Sequence, residues 1–277
     1  DFGTGINPCS VAIVNLNADG RPDLVVANFA SNTVSVLLGM GGGTFAEKTD
    51  FRTGTNPSSL VIADFNADTR PDLATVNQFA LPLSVLLGNG DGTFAAKKEY
   101  QFPTRNPTSV ASGDLNRDGH LDLVVAGGGF DEVSVLLGNG DGTFAPTLDV
   151  GTGLSPASVT IADFNADGRP DLATANALSN TVSVLLQNAG GTFDAEPELN
   201  TEEFPYAVAA ADLDGDGRPD LAVPNKLSST VSVFTTRAAP IVMAFHLKPR
   251  HLKLTSRRHR VRGYLEPAAP FAAKDID

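Results

Sequence analysis

The sequence predicts an all-β fold assembled from five copies of one unit, and three observations carry that prediction. An acidic loop recurs, first as Asn15-Leu-Asn17-Ala-Asp19-Gly-Arg-Pro-Asp23 and then from Asp64, Asp114, Asp163 and Asp212, at intervals of 49, 50, 49 and 49 residues. The tripeptide Val-Ser-Val starts at Val34, Val133, Val182 and Val231, with Leu83 opening a variant copy. Thr-Phe ends a Gly-rich stretch at Phe45, Phe94, Phe144 and Phe193. All three marks keep one register, and a fixed period of 20–50 residues announces a solenoid, a propeller or an array.

Within a unit, apolar runs alternate with turn residues. Val11–Val14 leads into the acidic loop, Leu24–Ala27 leaves it, and Val34–Leu38 follows. A Gly-rich turn such as Gly88–Gly92 then introduces a segment through Phe94 to Tyr100. These runs are β-branched and too short for stable helices, and Asn-Gly pairs supply the positive φ of tight hairpins. Each unit therefore reads as four short strands. A lone four-stranded sheet with two apolar faces cannot bury both, whereas neighbours packed face to face around an axis can, as blades of a β-propeller. Residues 1–236 form this propeller of five four-stranded blades. The fifth unit stops after Val231–Phe234, without the Gly-rich turn or Thr-Phe. Asp1-Phe-Gly-Thr-Gly5 matches Asp50–Gly54 and Asp149–Gly153, the ends of complete units. The N-terminal segment is thus expected to donate the missing outer strand, closing the last blade and hiding an open edge. A piece of a larger ring is the alternative.

Composition agrees. Hydrophobic residues make up 42% of the chain, Trp is absent, charged residues are 19%, and Gly (27) and Pro (18) are plentiful, which suits short strands and tight turns. The single cysteine, Cys9, excludes an intrachain disulfide framework and reads as a small buried apolar residue. No apolar run approaches the ~20 residues that span a bilayer. The chain opens at Asp1 without a Met, as a mature or excised product would. Residues 1–236 carry a net charge of −18 and residues 237–277 one of +6. An acidic body disfavours nucleic acid and anionic membrane and favours cations. The stretch 237–277 reads as a basic, loosely ordered C-terminal extension. Its Arg257-Arg258-His259-Arg260 could read as a nucleic-acid or anionic-glycan patch. A solvated end is the preferred reading, with a short hairpin possible at Leu252–Leu254.

The acidic loops have the composition of a calcium site. Ca²⁺ takes 6–8 oxygens at about 2.3–2.6 Å, so a short loop must turn sharply and aim alternate side chains inward. Counting Asp163 as position 1, the ligands of the fourth loop are Asp163, Asn165, Asp167 and Asp171, with the Arg169 carbonyl at position 7 and Gly168 allowing the reversal. The other sets are Asn15, Asn17, Asp19 and Asp23; Asp64, Asn66, Asp68 and Asp72; Asp114, Asn116, Asp118 and Asp122; and Asp212, Asp214, Asp216 and Asp220. Thr174 rather than Glu at position 12, and flanking strands rather than helices, reject an EF-hand. Asn, Asp and Gly also make plain turns. Carboxylates at positions 5 and 9 in all five copies argue against that blander account. Ligand charge is −2 in the first loop, −3 in the next three and −4 in the fifth. The fifth loop should therefore bind most tightly and the first most weakly. Thr69 replaces the position-6 Gly of the second loop, which should be strained or reshaped. Up to five ions are expected. At millimolar extracellular calcium each would contribute on the order of 1 kcal/mol to folding.

Three motifs carry a family resemblance: Asp-x-Asn-x-Asp-Gly-x-Pro-Asp-Leu at Asp163–Leu172, Val133–Phe144, and Asp1–Gly5. Over residues 1–236 the chain resembles the FG-GAP/VCBS repeat family, whose calcium-binding propellers also form the head of integrin α subunits. The resemblance implies a secreted or cell-surface protein, calcium in the loops, and a role in adhesion or ligand binding. Family propellers often have seven blades. The expected function is a non-enzymatic adhesion or ligand-binding module with structural calcium. It would be monomeric and hold a protein or glycan ligand on one face. A glycan-binding, lectin-like propeller is the alternative, weakened by the absence of Trp and the presence of only Tyr100, Tyr206 and Tyr264 for stacking. A polysaccharide-degrading enzyme comes third, because His120 is the only histidine in the repeats and no nucleophile–base set is evident.

Overall fold

A computed structural model describes residues 1–79, 83–101, 106–145 and 148–236, with the backbone of 244–247. Among the described residues every regular element is a strand and none is a helix. Each repeat folds as an antiparallel meander, because its apolar runs are separated by loops too short for a crossover.

Sheet 1 orders Pro8–Val14, Asp23–Asn28, Thr33–Leu37 and Thr49–Arg52. Sheet 2 orders Thr55–Ala63, Asp72–Phe79, Leu83–Leu86 and Lys98–Tyr100. Sheet 3 orders Pro107–Gly113, Asp122–Gly127, Glu132–Leu136 and Leu148–Gly151. Sheet 4 runs from Pro156–Ala162 through Asp171–Asn176 to Thr181–Gln187. Its outer strand is split into Phe193–Ala195 and Leu199–Asn200. Sheet 5 orders Ala209–Ala211, Asp220–Asn225, Thr230–Phe234 and Ala244–Leu247. The second strands of the interior sheets are covered on both faces, so Asp122–Gly127 is buried at every position. That is why they read as unbroken apolar runs. Where the third strand leaves the sheet it passes hard against the loop. A Cβ at Gly39, Gly88 or Gly138 would lie 2.2, 2.1 or 2.3 Å from the carbonyl oxygen of Pro22, Pro71 or Leu121.

The expected strand donation by residues 1–5 is corrected. The outer edge of Thr230–Phe234 is taken by Ala244–Leu247, whose Leu247 pairs with Val231. The same register joins Val34 to Phe51, Leu83 to Tyr100, Val133 to Val150 and Val182 to Leu199. The N-terminal segment instead enters sheet 1. Gly5 N–H donates to Asn28 Oδ1 at 3.0 Å, Ile6 N–H to Ser31 Oγ at 2.7 Å, and the Phe2 ring meets Phe45 edge-on at 5.1 Å. A strand a few residues downstream reaches the open edge with far less loop-closure entropy than one at the other end of the chain. Ala244–Leu247 falls inside the stretch read as an extension. The rest of that stretch, including Leu252–Leu254 and Arg257–Arg260, lies outside the described residues.

Consecutive sheets stack face to face. Leu16, Val25 and Val36 pack on Leu60, Leu73 and Phe94 between sheets 1 and 2. Phe65, Val76 and Val85 pack on Val110, Leu123 and Leu136 between sheets 2 and 3. Two further cores join sheets 3 and 4 and sheets 4 and 5. The first strands are stitched to one another as well. Leu60, Val110, Val159 and Val208 N–H donate to Ser10, Ser59, Ser109 and Ser158 Oγ in the preceding sheet, at 3.2–3.3 Å.

Among the described residues no such core joins sheet 5 to sheet 1, which corrects the expected closed ring. Leu60, Val110, Val159 and Val208 are 8% exposed or less, yet Val11 at the equivalent place in sheet 1 is 62% exposed and Ile13 is 72% exposed. On the opposite face, Leu16, Phe65, Leu115 and Phe164 are at most 3% exposed, whereas Leu213 of sheet 5 is 52% exposed. The same repeat residue is core or surface according to whether a neighbouring sheet covers it. The described sheets form an open, propeller-like run. Cys9, expected to be buried, is exposed on a first strand, with its thiol donating to the Pro57 carbonyl of the next sheet at 3.1 Å.

Candidate metal centre

Each acidic loop connects the first strand of a sheet to its second. Its backbone turns through two left-handed residues, at position 4 (Ala18, Ala67, Arg117, Ala166, Gly215) and position 6 (Gly20, Thr69, Gly119, Gly168, Gly217). Thr69 holds φ +70°, close to the glycines it replaces, so that loop is strained rather than reshaped. The left-handed position 4, filled by Ala in three loops, carries no sequence signal. Alanine is not a residue that announces positive φ.

The reversal folds the loop's amides onto its own carboxylates. Thr69, Gly119 and Gly168 N–H donate to Asp64, Asp114 and Asp163 Oδ2 at 2.7–2.9 Å. Position-7 N–H groups reach Asp19, Asp68, Asp118, Asp167 and Asp216 Oδ1 at 2.8–2.9 Å. In the first four loops the side-chain amide of Asn17, Asn66, Asn116 or Asn165 donates to Oδ2 of the position-5 aspartate. The His120 N–H, helped by the Asn116 amide, holds the Asp118 carboxyl below its ordinary value. Arg117 of the third loop donates to the Gly168 carbonyl of the fourth, linking adjacent loops.

Position 9 lies apart from the other three in its bonding. Asp23, Asp72, Asp122, Asp171 and Asp220 are fully buried, with both oxygens taken by backbone. Oδ2 accepts the N–H seven residues upstream, from Leu16, Phe65, Leu115, Phe164 or Leu213, at 2.7–2.9 Å. Oδ1 accepts the N–H sixteen residues downstream, from Gly39, Gly88, Gly138, Gln187 or Thr236, at 2.7–2.9 Å. Burial raises the carboxyls of Asp72, Asp122 and Asp171 above their ordinary value, against the lowering pull of these N–H groups. This bridge, which closes the loop onto the end of the third strand, is what the sequence reading missed. The sequence carries no mark that separates it, since position 5 is Asp in every repeat just as position 9 is.

Two loops have features that would suit a cation. In the fifth, Asp212, Asp214 and Asp216 each offer an exposed carboxylate oxygen within 4.8 Å of the other two. Oxygens this close together can share one Ca²⁺ ion, whose ligands lie at about 2.3–2.6 Å. With Asp214 in place of Asn there is no side-chain amide to offset the crowding, and three like charges so close repel unless a cation sits among them. In the first loop Asn15 Oδ1 is buried and has no hydrogen-bond partner. An orphaned acceptor at position 1 fits a metal ligand, since a buried oxygen without a donor is costly. The residues therefore fit calcium best at loops 5 and 1. In loops 2–5 the position-1 carboxylates also accept backbone N–H groups and keep lone pairs.

Sheets stacked in sequence order, one acidic loop in each, define a propeller-like all-β repeat protein. The FG-GAP-like repeat pattern matches residues 15–75, 77–125, 114–174 and 164–223, and the chain belongs to this family. Among solved structures, an Agrocybe aegerita lectin, described as recognising non-reducing terminal N-acetylglucosamine, aligns at 22% identity with a TM-score of 0.56. The alignment covers 82% of this chain and 63% of the lectin. A Desulfotomaculum acetoxidans protein described as functionally unknown aligns at 16% identity and TM-score 0.64, over 87% of this chain and 70% of its own. Streptogramin B lyase aligns at 18% identity and TM-score 0.58, over 84% and 66%. At such identities the likeness is one of fold. No curated protein sequence matches the chain.

Proposed function

We propose that the chain is a calcium-stabilised, non-enzymatic binding module, built as five consecutive propeller blades and working outside the cell in adhesion or ligand capture. Up to five Ca²⁺ ions, one per repeat, clamp the acidic loops, and their role is structural. The observation that carries this reading is the convergence of Asp212, Asp214 and Asp216. Millimolar calcium outside cells suits loops of modest affinity and supplies the stabilisation that a chain with one cysteine cannot draw from disulfides. His120 lends its backbone N–H to Asp118, and catalysis forms no part of the reading.

Calorimetric titration of the chelator-stripped protein with CaCl₂ tests it, beside melting curves in calcium and in chelator. Heat of binding and a higher melting temperature in calcium are expected, and Asp214→Asn should weaken the tightest site by on the order of tenfold. No heat and an unchanged melting temperature would sink the proposal. A glycan-binding reading stands second, favoured by the fold shared with a lectin described as recognising a terminal sugar.

A further inference from the structure

The fifth repeat departs from the other four at three places, and the fold brings the departures together. Residues Asn7, Asn56, Asn106 and Ser155, each just before a proline at the start of a first strand, hold φ between +49° and +59°, and Phe204 holds their place before Pro205 at +60°. Small polar residues visit the left-handed region readily, whereas an aromatic one there is strained, and strain kept at a surface position points to a use. Two residues on, after the proline that all five repeats share, Cys9, Ser58, Thr108 and Ala157 give way to Tyr206. Lys226 is the third departure, following Asn225 where Phe29, Gln78 and Ala177 follow the equivalent asparagines.

The Phe204 and Tyr206 rings stack with centroids 6.5 Å apart and planes 14° from parallel. The Lys226 ammonium lies 5.1 Å from the Tyr206 centroid and 6.0 Å from that of Phe204. Neither ring belongs to the core between sheets 4 and 5, and Tyr206 is 58% exposed. Tyr206 borders a cavity of ≈ 370 Å³ where the first strands converge, with Phe29 of sheet 1 also on its wall. Between them the wall carries Asn7, Ser58, Thr108 and Ser158, and no charged side chain lines it, in a chain of net charge −12. The Ser58 and Thr108 hydroxyls donate to the Pro107 and Pro156 carbonyls and keep acceptor lone pairs. Ser158 accepts the Val208 N–H and keeps its proton to donate.

We propose that this cavity binds a neutral saccharide, its pyranose C–H face on Tyr206 and its hydroxyls on the ring of Ser, Thr and Asn side chains. The proposal rests on the ligand-binding reading above and places that ligand at the axis. An aromatic face attracts the positive edge of C–H bonds, and a wall of uncharged donors and acceptors suits a polyhydroxylated ligand while offering nothing to an ion. A quaternary ammonium is disfavoured because the Lys226 ammonium beside the rings repels it, whereas a neutral sugar meets no such repulsion. The volume suits a mono- or disaccharide.

The test titrates the calcium-loaded full chain with a panel of neutral mono- and disaccharides. Alongside it run Phe204→Asn and Tyr206→Ser, which restore residues of the other repeats. Wild type is expected to bind at least one sugar, and each variant should bind it about tenfold more weakly. The melting temperature of Phe204→Asn should be unchanged or raised, because its backbone strain is relieved, so weaker binding there is no folding defect. The proposal is overturned if both variants bind as wild type does, or if wild type binds no sugar while calcium still gives heat. Sugar binding that survives the loss of calcium heat would uphold this site and overturn the calcium reading alone.

Discussion

Position 9 of the acidic loop shows how one residue type serves two ends. Asp122 is buried, and its two oxygens accept the Leu115 and Gly138 N–H groups at 2.7 and 2.8 Å. Asp118, four residues away, is exposed and uses its oxygens within the loop. An amide in place of the buried carboxylate offers one acceptor and turns a donor toward the other N–H. Asp122→Asn should therefore lower stability by about 2–3 kcal/mol in urea denaturation, and Asp118→Asn, measured in chelator, by much less. Equal losses would show that the bridge is no more important than the turn. Both aspartates were visible in the sequence as one oxygen-rich pattern. Their separation was not, because burial depends on the third strand that passes over Asp122 and leaves Asp118 in water.

At the scale of the element, the Gly-rich turns of sheets 2 and 3 carry their own carboxylates. The Thr93 hydroxyl donates to Asp91 Oδ1 at 2.6 Å and its N–H at 2.9 Å, and Thr143 holds Asp141 in the same way. These bonds, the hydroxyl first, keep both carboxyls below their ordinary value. A carboxyl lowered in the folded state adds stability above its unfolded value, and that stability is lost as pH falls through the folded one. Melting temperature should thus drop below about pH 4, and less steeply in Asp91→Asn/Asp141→Asn. An identical acid slope in the double variant would dismiss the contribution. The raised carboxyls of Asp72, Asp122 and Asp171 act in the opposite sense, losing stability as pH rises past their unfolded value. The turns were legible from Asn-Gly-Asp-Gly alone. The outer strand of sheet 5 was not, since Ala244–Leu247 lacks the Gly-rich lead and Thr-Phe of the other repeats and is recruited by the open edge of Thr230–Phe234.

At the scale of the molecule, five repeats supply four shared cores. A sheet interior to the run is covered on both faces, and the end sheets on one. Val159→Ala should cost about 2 kcal/mol, because Val159 is buried between sheets 3 and 4. Val11→Ala, at the same place in sheet 1, should stay within about 0.5 kcal/mol of wild type. A comparable cost at Val11 would mean that its face is covered in solution.

The repeat period, the strand number per unit and the oxygen spacing of the loops are local in the chain. Turn chemistry and alternating apolar runs act over a few residues, so they could be read from the sequence alone. Three features arise only when distant segments meet. One is which strand completes sheet 5. Another is the burial that turns position 9 into a bridge. The last is the meeting of Phe204, Tyr206 and Lys226 beside hydroxyls from other sheets. Each depends on proximity in space, which packing creates and a repeat pattern does not encode.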